Sequence, residues 1–210
     1  MSLRELLLLL QTTWRVSTGR GSFRRGGWPL VRAARLLLSR PRLGMESRGW
    51  GFKEPNSHVF LESLASSYPD LRFIYVLRHG LDMAFSENLN QLFSWGEHYG
   101  VAAPADEAEL PAAQLDYWIA ATERVQEAGA RLLGERFLVL RYEELFPEPR
   151  EQLARLASFL SVEESCLEGP RIAEITRPSA SMGRYRGRDL GLFSESQLRR
   201  VEELGYEVVR

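Results

Sequence analysis

The sequence predicts an α/β fold with a mostly parallel sheet, on three observations. Phe73, Ile74, Tyr75, Val76 and Leu77 form an unbroken apolar, β-rich run, which fits a strand buried on both faces. Strand-like and helix-like stretches alternate around it, the pattern of βαβ units. The run stops at the polar turn Arg78-His79-Gly80, and open α/β sheets bind ligands at the carboxyl ends of their strands.

Taken in order, Leu3–Trp14 reads as a short helix and Arg15–Pro29 as a Gly, Arg and Ser loop. Leu30, Val31, Ala34, Leu37 and Leu38 have helical spacing over Leu30–Ser39, and Pro41 ends that stretch. Gly49–Lys53 reads as a short strand closed by Glu54-Pro55, since proline disfavours helix at the residue before it. Asn56 or Ser57 caps a helix through Ser66, with Val59, Phe60, Leu61 and Leu64 inward. Tyr68-Pro69-Asp70 turns the chain into the apolar run, which completes a right-handed βαβ unit. Asp82 is expected to cap the next helix, with Met83, Phe85 and Leu89 on its buried side.

A loop follows over Ser94–Ala108. Pro111 opens a long helix, Ala112–Leu133, with Leu115, Trp118, Ile119, Val125 and Leu132 as its apolar face, and Gly134 ends it. Phe137–Leu140 reads as a second strand, followed by Arg141-Tyr142-Glu143-Glu144. A helix over Arg150–Leu160 buries Leu153, Leu156, Phe159 and Leu160. Glu163–Ala180 reads as loop with a turn near Ile172, Ser181–Asp189 is a Gly/Arg loop, and Ser194 caps the last helix. No internal repeat is present.

A chain of 210 residues with 44% apolar content suits one α/β domain with a sizeable core. The net charge of −1 hides an asymmetry. Residues 1–50 hold ten arginines against Glu5 and Glu46, while the remainder is acidic. The expected organisation is a basic segment over 1–49, partly helical or disordered, and an α/β domain over 50–210. Cys166 is the sole cysteine, and His58, His79 and His98 are scattered. An intrachain disulfide is therefore excluded, and no metal site is implied. Leu6–Leu10 is too short to span a bilayer. The composition gives a cytoplasmic expectation, with mitochondrial transit through the Arg-rich segment as the alternative. The basic residues lack aromatic interleaving, so nucleic acid is not an expected partner. Oligomeric state is not legible.

Three places offer groups that bind anions. Arg78 stands at the end of the apolar run, and Ser86 lies eight residues on. An arginine fork and a hydroxyl there suit a phosphate, although by spacing alone an ordinary strand–helix turn explains both as well or better. Lys53 is the chain's only lysine; it is a site candidate or a plain surface lysine in an arginine-rich chain. Arg184, Arg186 and Arg188 punctuate the Gly/Arg loop, as anion ligands or as a solvated tail. Together they suggest a polyanionic ligand at one sheet edge.

From about Trp50 to about Leu204 the sequence resembles the sulfotransferase family, which uses the donor PAPS (3′-phosphoadenosine-5′-phosphosulfate). The resemblance rests on GFKEP, YPDLRF, VLRHGLDMAFS, FLVLRYEELFPEPREQLARLASFL and GRYRGRD, in that order. It implies a three-layer α/β/α domain of P-loop-NTPase-like architecture. It further implies a transferase that moves the sulfuryl group from PAPS to a hydroxyl or amine of a small-molecule or glycan acceptor. By resemblance Arg78 and Ser86 hold the 3′-phosphate, Tyr142 lies near the adenine or ribose, and Arg184 and Arg186 close over the phosphate. Lys53 then stabilises charge on the bridging oxygen.

The family's opening strand and Gly-rich 5′-phosphosulfate loop are not legible, so the domain is expected to be N-terminally incomplete. Thr18-Gly19-Arg20-Gly21-Ser22 has similar letters without a hydrophobic strand before it. A truncated or non-catalytic PAP/PAPS-binding protein is the alternative. In the cytosolic branch a histidine two residues after the lysine is the general base; here Pro55 stands there. Glu54 or His58 can take that role, or be respectively a carboxylate paired with an arginine and a partly buried helix residue. A nucleotide kinase would need Lys-Ser or Lys-Thr after a Gly-rich loop, whereas Lys53 is followed by Glu54.

Overall fold

Two parallel strands joined through one long helix form the centre of the fold. The structure is a computed structural model that describes residues 51–147, 149–167 and 178–209. The expectations for Leu3–Trp14, Arg15–Pro29, Thr18–Ser22, Leu30–Ser39, Gly49-Trp50 and the turn near Ile172 lie outside the described residues. The chain divides into two compact units, Met1–Ser63 and Leu64–Arg210.

In the first unit, residues 51–53 form no strand, contrary to expectation. Gly51 contributes no side chain to pack, Phe52 is 51% exposed, and no neighbouring strand pairs with this stretch among the described residues. The Glu54 carbonyl instead accepts the Ser57 N–H at 3.1 Å and the Ser57 hydroxyl at 2.9 Å. That turn leads into a single 3₁₀ turn, Ser57–Phe60, and then into α1 (Leu61–Ser67), which runs across the boundary between the units. Asn56 occupies the cap position without a capping side-chain bond.

In the second unit β1 (Phe73–Leu77) has the bounds that the apolar run predicts. It pairs in parallel with β2 (Phe137–Arg141), Phe73 opposite Phe137 and Leu77 opposite Arg141. Both-face burial holds only in part: Leu77 is buried but Val76 is 54% exposed. Side chains alternate across a strand, and the long helix serves the face that carries Tyr75 and Leu77, leaving Val76 on the other.

After β1 come α2 (Gly80–Ala84), α3 (Asn90–Trp95) and 3₁₀ turns at Gly96–Tyr99 and Glu107–Glu109. The long helix α4 (Leu110–Leu133) starts two residues before the expected bound, with its proline in the first turn, and Gly134 closes it at φ 55°. It buries Leu115, Trp118, Ile119 and Val125 as expected, and Leu133 in place of Leu132. In α5 (Pro149–Leu160) the buried residue is Ala157, whereas Leu153, Leu156 and Phe159 are half-buried and Leu160 is 38% exposed. Arg72 caps that helix end, donating to the Phe159 carbonyl at 2.6 Å and the Ser161 hydroxyl at 2.9 Å. Ser194 caps α6 (Glu195–Glu203) in a reciprocal capping box with Gln197.

The core joins Leu77, Leu81, Leu115, Trp118, Leu198 and Val201. No helix among the described residues is long and apolar enough to cross a membrane.

Beside the core lies a group of phenols, Tyr117 buried and Tyr75 and Tyr99 half-buried. The Tyr75 hydroxyl is 3.5 Å from that of Thr122, Tyr117 donates to Gln91 at 3.1 Å, and Tyr99 meets Tyr117 edge-on at 5.5 Å. Burial pushes all three phenols up, and each of Tyr99 and Tyr117 is raised further by neighbouring phenols. An unfolded tyrosine ionises near about pH 10. The unfolded chain therefore loses these protons first, and stability falls as pH rises above that value. Each such tyrosine contributes about 1.4 kcal/mol of loss per pH unit. In urea titrations the wild-type stability should drop steeply above about pH 10, and Tyr117→Phe should drop less steeply. Parallel curves for the two proteins would show that Tyr117 is not part of this linkage.

Candidate functional site at the end of the first strand

The turn after β1 carries the site. Arg78 is the first residue past the strand, and His79, not Asp82, caps α2. The Leu81 N–H donates to His79 Nδ1 at 3.2 Å, so the ring proton sits on Nε2, which donates to the Glu207 carbonyl at 3.0 Å. Asp82 fails as a cap because α2 has already begun; its carboxylate points inward and is 2% exposed. The buried face of α2 is Leu81 and Ala84, whereas Met83 and Phe85 are half-buried, as is Leu89 beyond the helix.

α2 ends at Ala84, so Ser86 lies in the turn beyond it and not two helical turns along. The Ser86 hydroxyl accepts the Asn88 N–H at 3.2 Å. Gln114 of α4 holds the same turn by its side-chain amide, which donates to the Ala84 and Ser86 carbonyls at 2.9 and 3.0 Å. These satisfy carbonyls that a helix end leaves without intrahelical partners.

The Arg78 guanidinium lies 4.7 Å from the centre of the Tyr142 ring, a cation–π contact. Tyr142 opens the 3₁₀ turn Tyr142–Leu145 directly after β2, so both residues stand at carboxyl ends of parallel strands. Arg78 Nη2 donates to the Ser181 hydroxyl at 3.0 Å, and the Ser179 hydroxyl is 2.7 Å from that of Ser181. Arg184 Nε donates to the Ser181 carbonyl at 3.2 Å, and its Nη1 to the Phe85 carbonyl at 3.3 Å. Ser181 therefore links the two arginines, one through its side chain and one through its backbone. Arg78 Nε is buried and makes no hydrogen bond among the described residues.

Arg186 is exposed, with its backbone N–H on the Gly183 carbonyl at 3.0 Å. Arg188 is exposed too and reaches over the Phe85 ring at 5.7 Å. Lys53, Glu54 and His58 belong to the other compact unit. There Lys53 is exposed, the Glu54 carboxylate accepts from the Asn56 amide at 3.3 Å, and His58 Nδ1 lies 3.0 Å from the Pro55 carbonyl.

Sequence reasoning missed Ser181, Gln114 and the inward role of Asp82. The one signal for Asp82 was its spacing: it falls four residues after Arg78 and four before Ser86. The pairing of Ser181 with Arg78, 103 residues apart, has no local signature.

The Sulfotransferase family matches residues 10–165 of the chain. The match takes in Arg78, Asp82, Ser86 and Tyr142 and ends before the 181–188 loop. No curated protein and no solved structure matches. With a match over most of its length, and an α/β fold that presents arginines at the ends of parallel strands, the chain belongs to the sulfotransferase family.

The strand-end turn has little room. A Cβ at Gly80 would stand 2.6 Å from Cε3 and 2.7 Å from Cζ3 of the Trp118 ring, which is itself buried against Tyr206. Gly80→Ala should thus cost about 1–3 kcal/mol of stability, read as a lower urea midpoint. A midpoint at or above that of the wild type would show that the tryptophan yields freely.

Proposed function

We propose that this protein transfers a sulfuryl group from PAPS to a hydroxyl or amine acceptor by in-line displacement, on a three-layer α/β/α frame. The observation that carries the reading is the meeting of Arg78 and Arg184 on Ser181, beside the Tyr142 ring, at the carboxyl ends of two parallel strands. The buried Arg78 Nε without a partner supports a ligand at that point, since a buried donor left unpaired costs about 1–3 kcal/mol. A phosphate dianion satisfies such a donor through a charge-assisted bond.

In this reading Arg78, Ser86 and Arg184 hold the 3′-phosphate, with Arg186 closing from the exposed side of the loop. Tyr142 packs against the adenosine portion. PAPS, when bound, supplies an activated sulfuryl group on a phosphosulfate anhydride. Lys53 stabilises the negative charge that builds on the bridging oxygen, the dominant contribution that a protein makes to such a transfer. Glu54 or His58 takes the proton from the acceptor hydroxyl. The acceptor is a small molecule or glycan, and the enzyme works in the cytoplasm. Residues 1–49 form a basic segment and residues 50–210 the transferase domain.

Calorimetric titration with PAP, the desulfated product, tests the nucleotide half of the reading. The wild type should bind saturably, and Arg78→Ala should weaken binding by about tenfold or more, since hydrogen bonds to charged groups contribute about 1.5–3 kcal/mol. Absence of binding, or equal affinity in the variant, overturns it. Labelled PAPS then separates an enzyme from a binding protein. Transfer that Lys53→Ala abolishes while PAP affinity holds supports the enzyme. Binding with no transfer to any acceptor assigns the non-catalytic alternative.

A further inference from the structure

We infer that Asp82 is the positioning residue for Arg184. Its buried carboxylate accepts the Gly183 N–H at 2.6 Å on one oxygen and the Tyr185 N–H at 3.1 Å on the other. The backbone on both sides of Arg184 is thereby fixed to α2, the helix that follows Arg78. In its relevance to nucleotide binding the inference rests on the reading above; in its geometry it stands alone.

Three features make this arrangement specific. The carboxylate is 2% exposed, and a buried carboxylate is costly unless hydrogen-bonded, so the two amides are required of the loop and not incidental to it. Gly183 has φ 74°, a left-handed conformation that glycine adopts without penalty. It lets amide N–H groups converge on one anion, as in backbone nests. Tyr185, which belongs to the core, is 2% exposed, meets the His79 ring at a tilt with centroids 4.6 Å apart and donates its hydroxyl to the Glu207 carbonyl at 3.2 Å. With the amides of residues 183 and 185 both tied down, the backbone from which Arg184 projects is held in place. Its side chain reaches back across the turn to the Phe85 and Ser181 carbonyls.

Two assays on Asp82→Asn test the clamp. The asparagine keeps the size of the side chain but turns one acceptor into a donor that faces an N–H. In trypsin digestion without nucleotide, cleavage after Arg184 should rise about tenfold, as expected from loss of a charge-assisted bond. Cleavage after Arg199, inside α6, should stay within about twofold. Equal acceleration at both bonds, or none at Arg184, overturns the inference. In PAP titration Asp82→Asn should lower affinity about tenfold in the wild-type background and less than about twofold in Arg184→Ala. Equal losses in both backgrounds would mean general destabilisation and overturn it. Should the wild type not bind PAP, the nucleotide reading fails and the trypsin result still decides the clamp. Should the variant not fold, hydrogen exchange on the wild type decides: slow exchange of the Gly183 and Tyr185 amides supports the clamp, and exchange at open-loop rates overturns it.

Discussion

The site depends on His79, on which four separate pieces of the chain end. Its backbone N–H donates to Glu143 in the turn after β2 at 2.9 Å. Its Nδ1 caps α2, its Nε2–H reaches Glu207 near the C-terminus, and its ring lies between Tyr185 and Tyr206 at 4.6 and 4.9 Å. A buried histidine is tolerated when both ring nitrogens are satisfied, and here each serves a different segment. The residue before it, Arg78, therefore leaves β1 in a direction that the rest of the molecule has already set. Tight positioning of a binding group by its supporting contacts is what preorganises a site.

Much of the scaffold was legible in the sequence, and the reasons differ from element to element. β1 was legible because five apolar, β-rich residues end abruptly in a polar turn, and α4 because its apolar spacing persists for many turns between Pro111 and Gly134. The start of α6 was legible because Ser194 and Gln197 form a purely local box. Asp82 misled for the same kind of reason. An acid before apolar residues is a local cap signal, but two amides a hundred residues away offered its carboxylate a better use. Gly49–Lys53 read as a strand from composition alone, and composition does not supply the neighbouring strand that residues 51–53 would have needed. The site was legible only in part for a related reason. Arginines at strand ends and in a Gly-rich loop are visible in a sequence, whereas Ser181 bridging two of them is a fact of tertiary contact.

The environment of Arg78 suits the role the proposed function gives it, a partly buried arginine that stays available to an anion. An aromatic face attracts a guanidinium without using any of its N–H groups. Contact with Tyr142 therefore leaves the N–H groups of the fork for hydrogen bonds. One of those bonds goes to Ser181, whose hydroxyl is in turn tied to Ser179. Hydroxyls rotate to suit a partner, so these two serines can exchange their present bonds for bonds to the oxygens of the proposed phosphate without moving backbone. A carboxylate in their place would neutralise the arginine and defeat the proposed anion site.

The family match and the geometry divide the site between them. Arg78, Asp82, Ser86 and Tyr142 fall inside the matched residues, while Ser181 and Arg184 fall beyond residue 165. What connects the two sets is physical: Asp82 and His79 on the matched side hold Gly183 and Tyr185 on the other. Lys53, Glu54 and His58, which the proposed function assigns to transfer, belong to the unit Met1–Ser63, and Arg78, Ser86, Tyr142 and Arg184, which it assigns to the nucleotide, belong to Leu64–Arg210. On that proposed assignment, binding of PAP reports on the second unit, and sulfuryl transfer on both. On the same assignment, an affinity that survives while transfer is lost places the defect in the first unit, and a loss of both places it at the strand-end turn that His79 secures.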